Sequence, residues 1–539
     1  MGPIKLASLF FFSNLFLGST SILLALLLKD TKNPILNSVV ISIIILIGIF
    51  AYIKKMNIFR LHISWEEALF IIMFFLFGFY IMNKSFSYSN GAFEIASNQY
   101  VDFSGHIPII RSFSLGENIP PVFPYYGGWP NTYHFMFDYL VGLYEKLGVR
   151  IDFALNILSA GAFALVCVLI YHISQILFGK NKIVGILSVI FFLFNSSLSF
   201  LEAVKKYGLN LSLLSNIYHH NTYLGNGPFG DSVVSVFWNL NTYLNQRHFL
   251  FGLGIGLLVI YFLLNSKKFS KRVLLALGVM IGVLPFWHMT VFLSLISILG
   301  IFSLLNKVNR RNYLTVIVIS TIVALPQLLY IGMFSDNQIT FRPGFLVSNN
   351  LTLSNLVSYW LLNLGLSLIT IVFGILLSNK RQKLFFLSII PLFILPNLFQ
   401  FGAQMFDNHK FLNIFIILAN MYSAYIIYLL LRMKTIFRVL GLVLIFLLTF
   451  SGVIDFFVIK NDVKARIQDY PSSEFQSFVL KNTPKDSIFL SNKPVYDPIN
   501  LVGRQSFLGE PHYLFLFGKN PDERVKKMNQ LFIGSSIED

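Results

Sequence analysis

Residues 98–138 are NQYVDFSGHIPIIRSFSLGENIPPVFPYYGGWPNTYHFMFD, a polar, aromatic and Pro/Gly-rich segment between two long apolar runs, 65–83 and 151–178. The segment carries Asp102, Arg111 and two histidines in a chain that is otherwise very apolar. Connections between structural elements are usually much shorter, and long ones tend to be functional. We therefore expect this segment to carry function beside a membrane span.

The composition of the whole chain is that of a membrane protein. Of its 539 residues, 55% are hydrophobic and only 12% are charged, and the mean hydropathy is +0.69. Soluble domains are about 25% charged. The net charge of +17 does not indicate a nucleic-acid partner, because the basic residues punctuate apolar runs instead of clustering on a soluble face. The single cysteine, Cys167, excludes an intrachain disulfide framework.

Apolar runs of about 20 residues, the length that crosses a bilayer core, predict the membrane spans. They are 6–28, 34–53, 65–83, 151–178, 183–202, 247–265, 273–306, 313–333, 355–378, 384–401, 411–431 and 436–458. The run 273–306 is broken around Pro285 and His288, and we predict two short helices there. The sequence thus predicts an all-α polytopic membrane protein with about 13 transmembrane helices.

Basic residues orient these spans, because short cytoplasmic loops carry an excess of Lys and Arg. The clusters are Lys54, Lys55, Arg60; Lys180, Lys182; Lys267, Lys268, Lys271, Arg272; Lys307, Arg310, Arg311; Lys380, Arg381, Lys383; and Arg432, Lys434, Arg438. They fall on one side at every second loop when the N-terminus is inside. The C-terminus and the long loops 84–150, 203–246, 334–354 and 402–410 are then outside.

We expect two domains. Residues 1–458 form the transmembrane domain, with outer loops 84–150 and 203–246, and residues 459–539 form a small soluble α/β domain outside the cytoplasm. Charged residues become frequent and apolar runs shorten in this tail. Its predicted elements are helices over 472–480 and 522–532 and a strand over 487–491.

Asp102 and His106 are the first candidate constellation. On a helix, side chains four residues apart face the same way. A carboxylate at Asp102 can act as a general base toward a hydroxyl or hold a divalent cation, and His106 can orient it or contact phosphate. The alternative is a solvated loop carboxylate with a capping histidine.

The second candidate region is the loop 203–246 and the start of the following span. Asp231 is a possible second acid, or only a turn or cap residue. Arg247 and His248 lie where the chain re-enters the bilayer and are suited to a lipid phosphate. Snorkelling of these side chains at the membrane interface is the competing explanation.

Two further groups are predicted on the outer face. His288 lies at the helix break beside Trp287, although a lone histidine is often a packed core residue. Asp407, His409 and Lys410 lie at the mouth of a span, where ionisable clusters are functional hypotheses by default. A local ion pair between Asp407 and Lys410 is the simpler alternative. We expect Asp102, His288 and Asp407 to converge on one outward cavity.

Several blocks of the sequence resemble the multispanning glycosyltransferases of the GT-C superfamily. The blocks are Asp102; Phe113-Ser114-Leu115-Gly116; Ile119-Pro120-Pro121; Tyr133-His134; Pro285-Phe286-Trp287-His288; Phe406-Asp407-Asn408-His409-Lys410; and Gly503-Arg504 with Gly509, Gly518 and Arg524. They are similar, in order, to blocks of the large bacterial and archaeal membrane proteins of that kind. The chain departs from the simplest pattern because its loop follows the third span instead of the first, and because no adjacent second acid accompanies Asp102.

The resemblance implies sugar transfer on the outer face of a prokaryotic cytoplasmic membrane. The donor would be a polyprenyl-phosphate-linked sugar within the membrane lipids, and the acceptor a glycan, lipid or protein. Asp102 matches the essential carboxylate of the first long outer loop. A divalent cation, Mg²⁺ or Mn²⁺, is compatible with this chemistry, and the missing second acid argues against a metal-bridged mechanism. A single inverting displacement is the default expectation.

Two other classes of function remain open from the residues. A secondary transporter or lipid flippase would place charged residues within the spans and show internal repeats, and neither is evident in the sequence. Another lipid-using transferase, for example of acyl or phosphoglycerol groups, would share the outer site and replace the sugar donor.

Overall fold

The computed structural model describes residues 2–55, 62–195, 197–224, 235–265, 269–335, 339–347, 351–516 and 519–534. These residues form a largely helical structure with three small sheets. The helices are α1 (Gly2–Leu27), α2 (Pro34–Lys55), α3 (Trp65–Ser85), α4 (Tyr100–Ser114), α5 (Met136–Lys146), α6 (Ile151–Leu177), α7 (Lys182–Leu193), α8 (Phe200–Tyr207), α9 (Ser212–Tyr218), α10 (Leu240–Asn245), α11 (Arg247–Asn265), α12 (Lys271–Gly282), α13 (Leu284–Leu305), α14 (Arg310–Phe334), α15 (Leu353–Leu364), α16 (Leu366–Leu376), α17 (Lys380–Ile389), α18 (Pro391–Leu398), α19 (Met405–Leu431), α20 (Thr435–Leu447), α21 (Phe450–Asn461), α22 (Glu474–Asn482), α23 (Pro498–Leu501), α24 (Pro511–Leu516) and α25 (Asp522–Ile533). The strands are β1 (Phe86–Ser89), β2 (Ala92–Ala96), β3 (Thr340–Phe341), β4 (Phe399–Gln400), β5 (Lys464–Gln468), β6 (Ile488–Phe489) and β7 (Gln505–Ser506).

The predicted polytopic helical architecture is confirmed in its coarse form. Within the described ranges, 9 helices are long and apolar enough to cross a membrane, or up to 10 if the bent pair α15 and α16 is one span. The nine are α1, α2, α3, α6, α11, α13, α14, α19 and the stretch Thr435–Asn461, which contains both α20 and α21. Thirteen separate spans were expected from the sequence.

The difference arises where apolar runs are short or broken. Helices α7 and α12 have 12 residues each, which is roughly 18 Å of helix, less than the roughly 30 Å of a bilayer core. The run 384–401 divides into α17 and α18 at Pro391, since proline lacks the N–H that would continue a helix. The predicted break in 273–306 lies at Val283, where α12 ends and α13 begins. His288, inside α13, has non-helical backbone angles.

Helices α6 and α11 form the centre of the bundle. They pack against each other, and 83% of the apolar window of each is buried. Helices α2, α3 and α14 lie at the periphery, where only about a fifth of each window is covered by protein. Their exposed apolar side chains therefore suit contact with lipid.

The predicted loop 84–150 is a folded unit that contains four elements. A hairpin of β1 and β2 follows α3, with Phe86 paired to Ile95 and Ser89 to Ala92. Helices α4 and α5 come next and pack against each other. Asp102 and His106 both lie on α4, so they share one face of a helix.

The C-terminal segment joins this unit. Strand β5 pairs with β2 in antiparallel register, from Ala92 opposite Gln468 to Ala96 opposite Lys464. The predicted tail helices are present as α22 and α25, and the predicted strand is β6, which pairs in parallel with β7. A boundary at residue 459 stays a prediction, because β5 completes a sheet that begins in the first long loop.

The ends of several helices meet at one face of the bundle. Arg247 at the start of α11 donates a hydrogen bond to Ser85 at the end of α3. Asn461 at the end of α21 donates to the carbonyl oxygen of His220. At the other end of α11, Arg381 of a basic cluster donates to the carbonyl oxygen of Leu264. The long loops thus lie at the end of the bundle opposite the basic cluster that contains Arg381.

Candidate active site

Asp102 lies in the first turn of α4, where the positive end of the helix dipole favours a carboxylate. The side chain is partly exposed, and Gln246 Nε2 donates a hydrogen bond of 3.3 Å to its Oδ1. Burial raises the pKa of Asp102 above its ordinary value, and the charges of His106 and Lys410 and the Gln246 hydrogen bond partly oppose this rise. A carboxylate whose pKa is raised in this way is a stronger base than an ordinary aspartate.

His106 is held by a second carboxylate that the sequence reasoning missed. Its Nδ1 lies 2.8 Å from Oδ2 of Asp138 on α5, and both side chains are buried. Burial lowers the pKa of His106, but the carboxylate of Asp138 outweighs it, so the net pKa is raised. Asp138 lies 32 positions from His106, a spacing with no helical or strand periodicity. The only sequence signal for Asp138 is its position in the same long loop as His106.

Three further histidines lie beside this pair. His134 precedes α5, His248 is the second residue of α11, and His288 interrupts the N-terminal part of α13. The ring centroids of His134 and His248 are 4.4 Å apart, those of His134 and His288 are 4.9 Å apart, and those of His248 and His288 are 5.3 Å apart. The ring of His248 also lies 4.9 Å from that of His106. The three histidines therefore adjoin the Asp102 and His106 face of α4.

Arg247, which was expected to bind a lipid phosphate, is instead engaged by the protein. It is 2% exposed, and its guanidinium donates to the side chains of Asn156 and Ser85 and to the carbonyl oxygen of Met82. These bonds tie α11 to α6 and α3. These bonds make Arg247 an anchor that positions His248, the next residue.

Lys410 supplies the positive charge of the site. Its Nζ lies 3.4 Å from Oδ1 of Asp407, and the lysine is 7% exposed. The ammonium charge lowers the pKa of Asp102, His106 and His134. Its field also reaches His248 and His288.

His409 faces an aromatic environment on α19. Its Nε2 lies 3.3 Å from the hydroxyl of Tyr359, and its ring packs against Phe237 and Trp238 at centroid distances of 4.8 Å. These aromatic contacts are separate from the group formed by His134, His248 and His288. Asp231, the possible second acid, lies outside the described residues.

Shared neighbours connect Asp102, His288 and Asp407, and their convergence on one outward cavity stays a prediction. Asp102 and His106 share α4, the rings of His106, His248 and His288 follow one another, and Lys410 links Asp407 to Asp102 electrostatically. A cavity of about 10 Å³, roughly the space of one water molecule, lies beside them and is lined by residues that include His106, Asp138 and His248. It is smaller than the pockets of roughly 300–1,000 Å³ that hold small ligands.

The C-terminal segment closes over α4. Tyr513 hydrogen-bonds to Ser104, and its hydroxyl donates to the carbonyl oxygen of Val101 at 2.8 Å. The hydroxyl of Tyr496 donates to the carbonyl oxygen of Tyr100 at 2.6 Å. These bonds hold the turn of α4 that carries Asp102.

A membrane protein family and a solved structure are similar to parts of this chain. A model of an uncharacterized membrane protein family, DUF2298, matches residues 18–225. The matched range includes Asp102, His106, His134 and Asp138. No curated protein matches the chain.

One of the similar solved structures is the archaeal oligosaccharyltransferase AglB from Archaeoglobus fulgidus, in complex with an inhibitory peptide and a dolichol-phosphate. The identity is 12% and the TM-score 0.39, and the match covers 84% of this chain and 65% of that chain. The chain thus spans about two thirds of the length of that protein.

Proposed function

We propose that this protein is a membrane glycosyltransferase that moves a sugar from a polyprenyl-phosphate-linked donor to an acceptor hydroxyl on the outer face of the membrane. The observation that carries the proposal is the proximity of a basic carboxylate and a positive charge in one site. Asp102 has a raised pKa suited to a base, and Lys410 supplies a buried positive charge within its field. Both lie where membrane helices end.

The orientation of the site is part of this proposal. We assign about 13 membrane crossings, with the N-terminus inside and the C-terminus outside. The meeting of α3, α11 and α21 with the long loops on one face supports this assignment, as does the position of Arg381 at the opposite end of α11. The donor phosphate would then lie at the outer interface, level with Lys410.

The reaction is a single displacement at the anomeric carbon. Asp102 accepts the proton of the acceptor hydroxyl while its oxygen forms the new glycosidic bond. The bond between the anomeric carbon and the phosphate oxygen breaks, and the polyprenyl phosphate leaves with the electron pair. Lys410 stabilises the negative charge on the departing phosphate. One displacement inverts the anomeric configuration.

The remaining residues position these groups. The hydrogen bond from His106 to Asp138 holds the imidazole on the same face as Asp102. Arg247 anchors α11, which carries His248. The acceptor is a glycan, lipid or protein that reaches the outer face, and the membrane is a prokaryotic cytoplasmic membrane.

An Asp102→Asn variant tests the proposal, with purified lipid-linked sugars and native membranes as donors. Loss of a general base lowers the rate by about 100-fold or more, whereas Asp486→Asn, at an exposed aspartate of the C-terminal segment, should retain wild-type transfer. Near wild-type transfer by Asp102→Asn would remove the assigned base. Release of an acyl or phosphoglycerol group, or lipid translocation without transfer, would assign the site to one of the other two classes.

A further inference from the structure

Among the described residues, one group of three histidines brings its ring nitrogens close together. The ligand atoms of His134, His248 and His288 all lie within 4.8 Å of one another. Their sequence positions are 114 and 40 residues apart along the chain, and three separate elements deliver them.

Two of these histidines carry buried ring nitrogens that have no hydrogen-bond partner among the described residues. Both nitrogens of His288 are in this state, and the residue is 0% exposed. Nε2 of His134 is also buried and unpaired. An unsatisfied buried polar atom is destabilising, so unpaired nitrogens on the imidazole of His288 indicate a missing partner.

The backbone is shaped to bring His288 to this position. Gly252 lies one helical turn after His248 on α11, and a Cβ atom at Gly252 would lie 2.9 Å from Cβ of His288. Real Cβ atoms almost never approach so closely. The glycine therefore lets α11 and α13 approach each other where the two imidazoles meet.

We propose that His134, His248 and His288 bind a transition-metal dication such as Zn²⁺. Three imidazoles with an open fourth position match a zinc site of the catalytic type, and neutral nitrogen ligands favour Zn²⁺ or Co²⁺ over Mg²⁺. The bonds of about 2.0–2.1 Å that such a site requires are reached by small rotations that bring the nitrogens closer than 4.8 Å.

The charges around the histidines balance a dication. The ammonium of Lys410 opposes a second positive charge, but Asp407 lies 3.4 Å from it. The carboxylate of Asp138 lies 2.8 Å from His106, whose ring lies 4.9 Å from that of His248, and the charge of Asp102 acts on the same His106. An oxygen of the donor phosphate is the expected fourth ligand. That role rests on the proposed function, whereas occupancy by the metal does not.

Metal analysis of the full chain in detergent tests the inference. The protein is stripped with a chelator, then titrated with Zn²⁺ and, separately, with Co²⁺, whose visible spectrum reports nitrogen ligation. We expect one equivalent of Zn²⁺ per chain. Changing residues that only orient ligands weakens metal binding about 10–100-fold, so His134→Gln, His248→Gln and His288→Gln should each weaken it by about 100-fold or more.

Matched variants separate the site from general effects of histidine loss. His409→Gln and His172→Gln, at histidines outside the group, should keep full Zn²⁺ affinity. Absence of Zn²⁺ and Co²⁺ binding by the wild type overturns the inference. Binding of inorganic phosphate without metal also overturns it, and makes the group an anion site.

A variant that fails to fold does not leave the question open, because the wild type provides its own readout. Zn²⁺ should raise the Tm of the wild type and of Asp102→Asn alike. An unchanged wild-type Tm at saturating Zn²⁺ contradicts the site. Because Asp102→Asn keeps the three histidines, loss of sugar transfer with intact Zn²⁺ binding, or the reverse, shows which proposal has failed.

Discussion

The Nδ1 atom of His106 lies 2.8 Å from Oδ2 of Asp138, and this bond joins α4 to α5 directly beneath the face that carries Asp102. Both residues lie in the first long loop but are 32 positions apart. A carboxylate behind a histidine fixes its tautomer and its ring orientation. The bond therefore sets which nitrogen of His106 faces the site.

Asp138→Asn should lower sugar transfer by about 10–100-fold, the range found when orienting carboxylates are removed from catalytic sites. The amide keeps the shape of the side chain and loses the charge that holds His106. The measurement is the rate of transfer at saturating lipid-linked donor. Asp152→Asn is the matched control, because Asp152 is equally buried but pairs with Arg150 at the start of α6. Equal losses in the two variants would contradict a specific role for Asp138.

Asp102→Asn should be more stable than the wild type above the folded pKa of Asp102. Burial raises that pKa, so the folded state binds the proton more tightly than the unfolded chain. The resulting stabilisation is present at low pH and disappears as the pH rises through the folded pKa. Thermal unfolding in detergent from pH 4 to pH 8 checks this. A wild-type Tm that rises relative to the variant with pH would show that the sign is wrong.

Arg111→Ala should destabilise the protein by about 3–5 kcal/mol, the cost of removing one partner from a buried ion pair. Arg111 is 2% exposed and lies 2.8 Å from Oδ2 of Asp469 and 3.3 Å from Oε1 of Glu145. Its loss leaves two buried carboxylates unpaired. Arg466→Ala, at an exposed arginine on β5, should change the Tm little. Similar losses of Tm in the two variants would contradict a specific stabilising role for the buried ion pairs of Arg111.

Gly116→Ala should loosen the C-terminal segment from α4. A Cβ atom at Gly116 would lie 2.2 Å from the carbonyl oxygen of Gly503 and 2.5 Å from that of Ser112, and backbone atoms cannot move away as a flexible side chain can. Limited proteolysis should cut the C-terminal segment of this variant faster than that of the wild type. Gly332→Ala, where a Cβ would meet no atom within 4 Å, serves as the control. Unchanged cleavage of Gly116→Ala would show that the segment adjusts.

Gly252→Ala should weaken Zn²⁺ binding without removing a ligand. The new methyl group would lie 2.9 Å from Cβ of His288 and push that imidazole away from His248. Gly300→Ala lies on the same helix as His288 and has open space around its Cβ, so it should bind Zn²⁺ as the wild type does. Titration of the chelator-treated variants with Zn²⁺ compares them. Full affinity in Gly252→Ala would mean that α11 and α13 are not held at the distance the site needs.

Sequence reasoning reached the helical membrane class because hydrophobicity is a local property, summed over about 20 residues. It also placed Asp102 and His106 on one helical face, since a spacing of four has a fixed geometry. The number of about 13 spans stays a prediction, because the described residues contain 9 or 10 helices long and apolar enough to cross a membrane, and other apolar runs are broken, for example at Pro391 and Val283.

The candidate site divides in the same way. Asp102, His248, His288 and Lys410 were recognised as chemistry-bearing residues near the ends of spans, a feature that the sequence itself displays. Their partners were not, because Asp138, the tail tyrosine Tyr513 and the grouping of three histidines depend on contacts between distant elements. No periodic pattern encodes such contacts.

The sequence by itself determined that this chain is a helical membrane protein with a polar, acid-bearing loop beside a span, because composition and local spacing carry that information. Only the tertiary structure decided that Arg247 is an anchor, that Asp138 holds His106, and that three remote histidines face one another. A hydrogen bond, or a group of metal-ligating side chains, forms where packing brings the side chains together. Their separation along the chain is irrelevant to that contact.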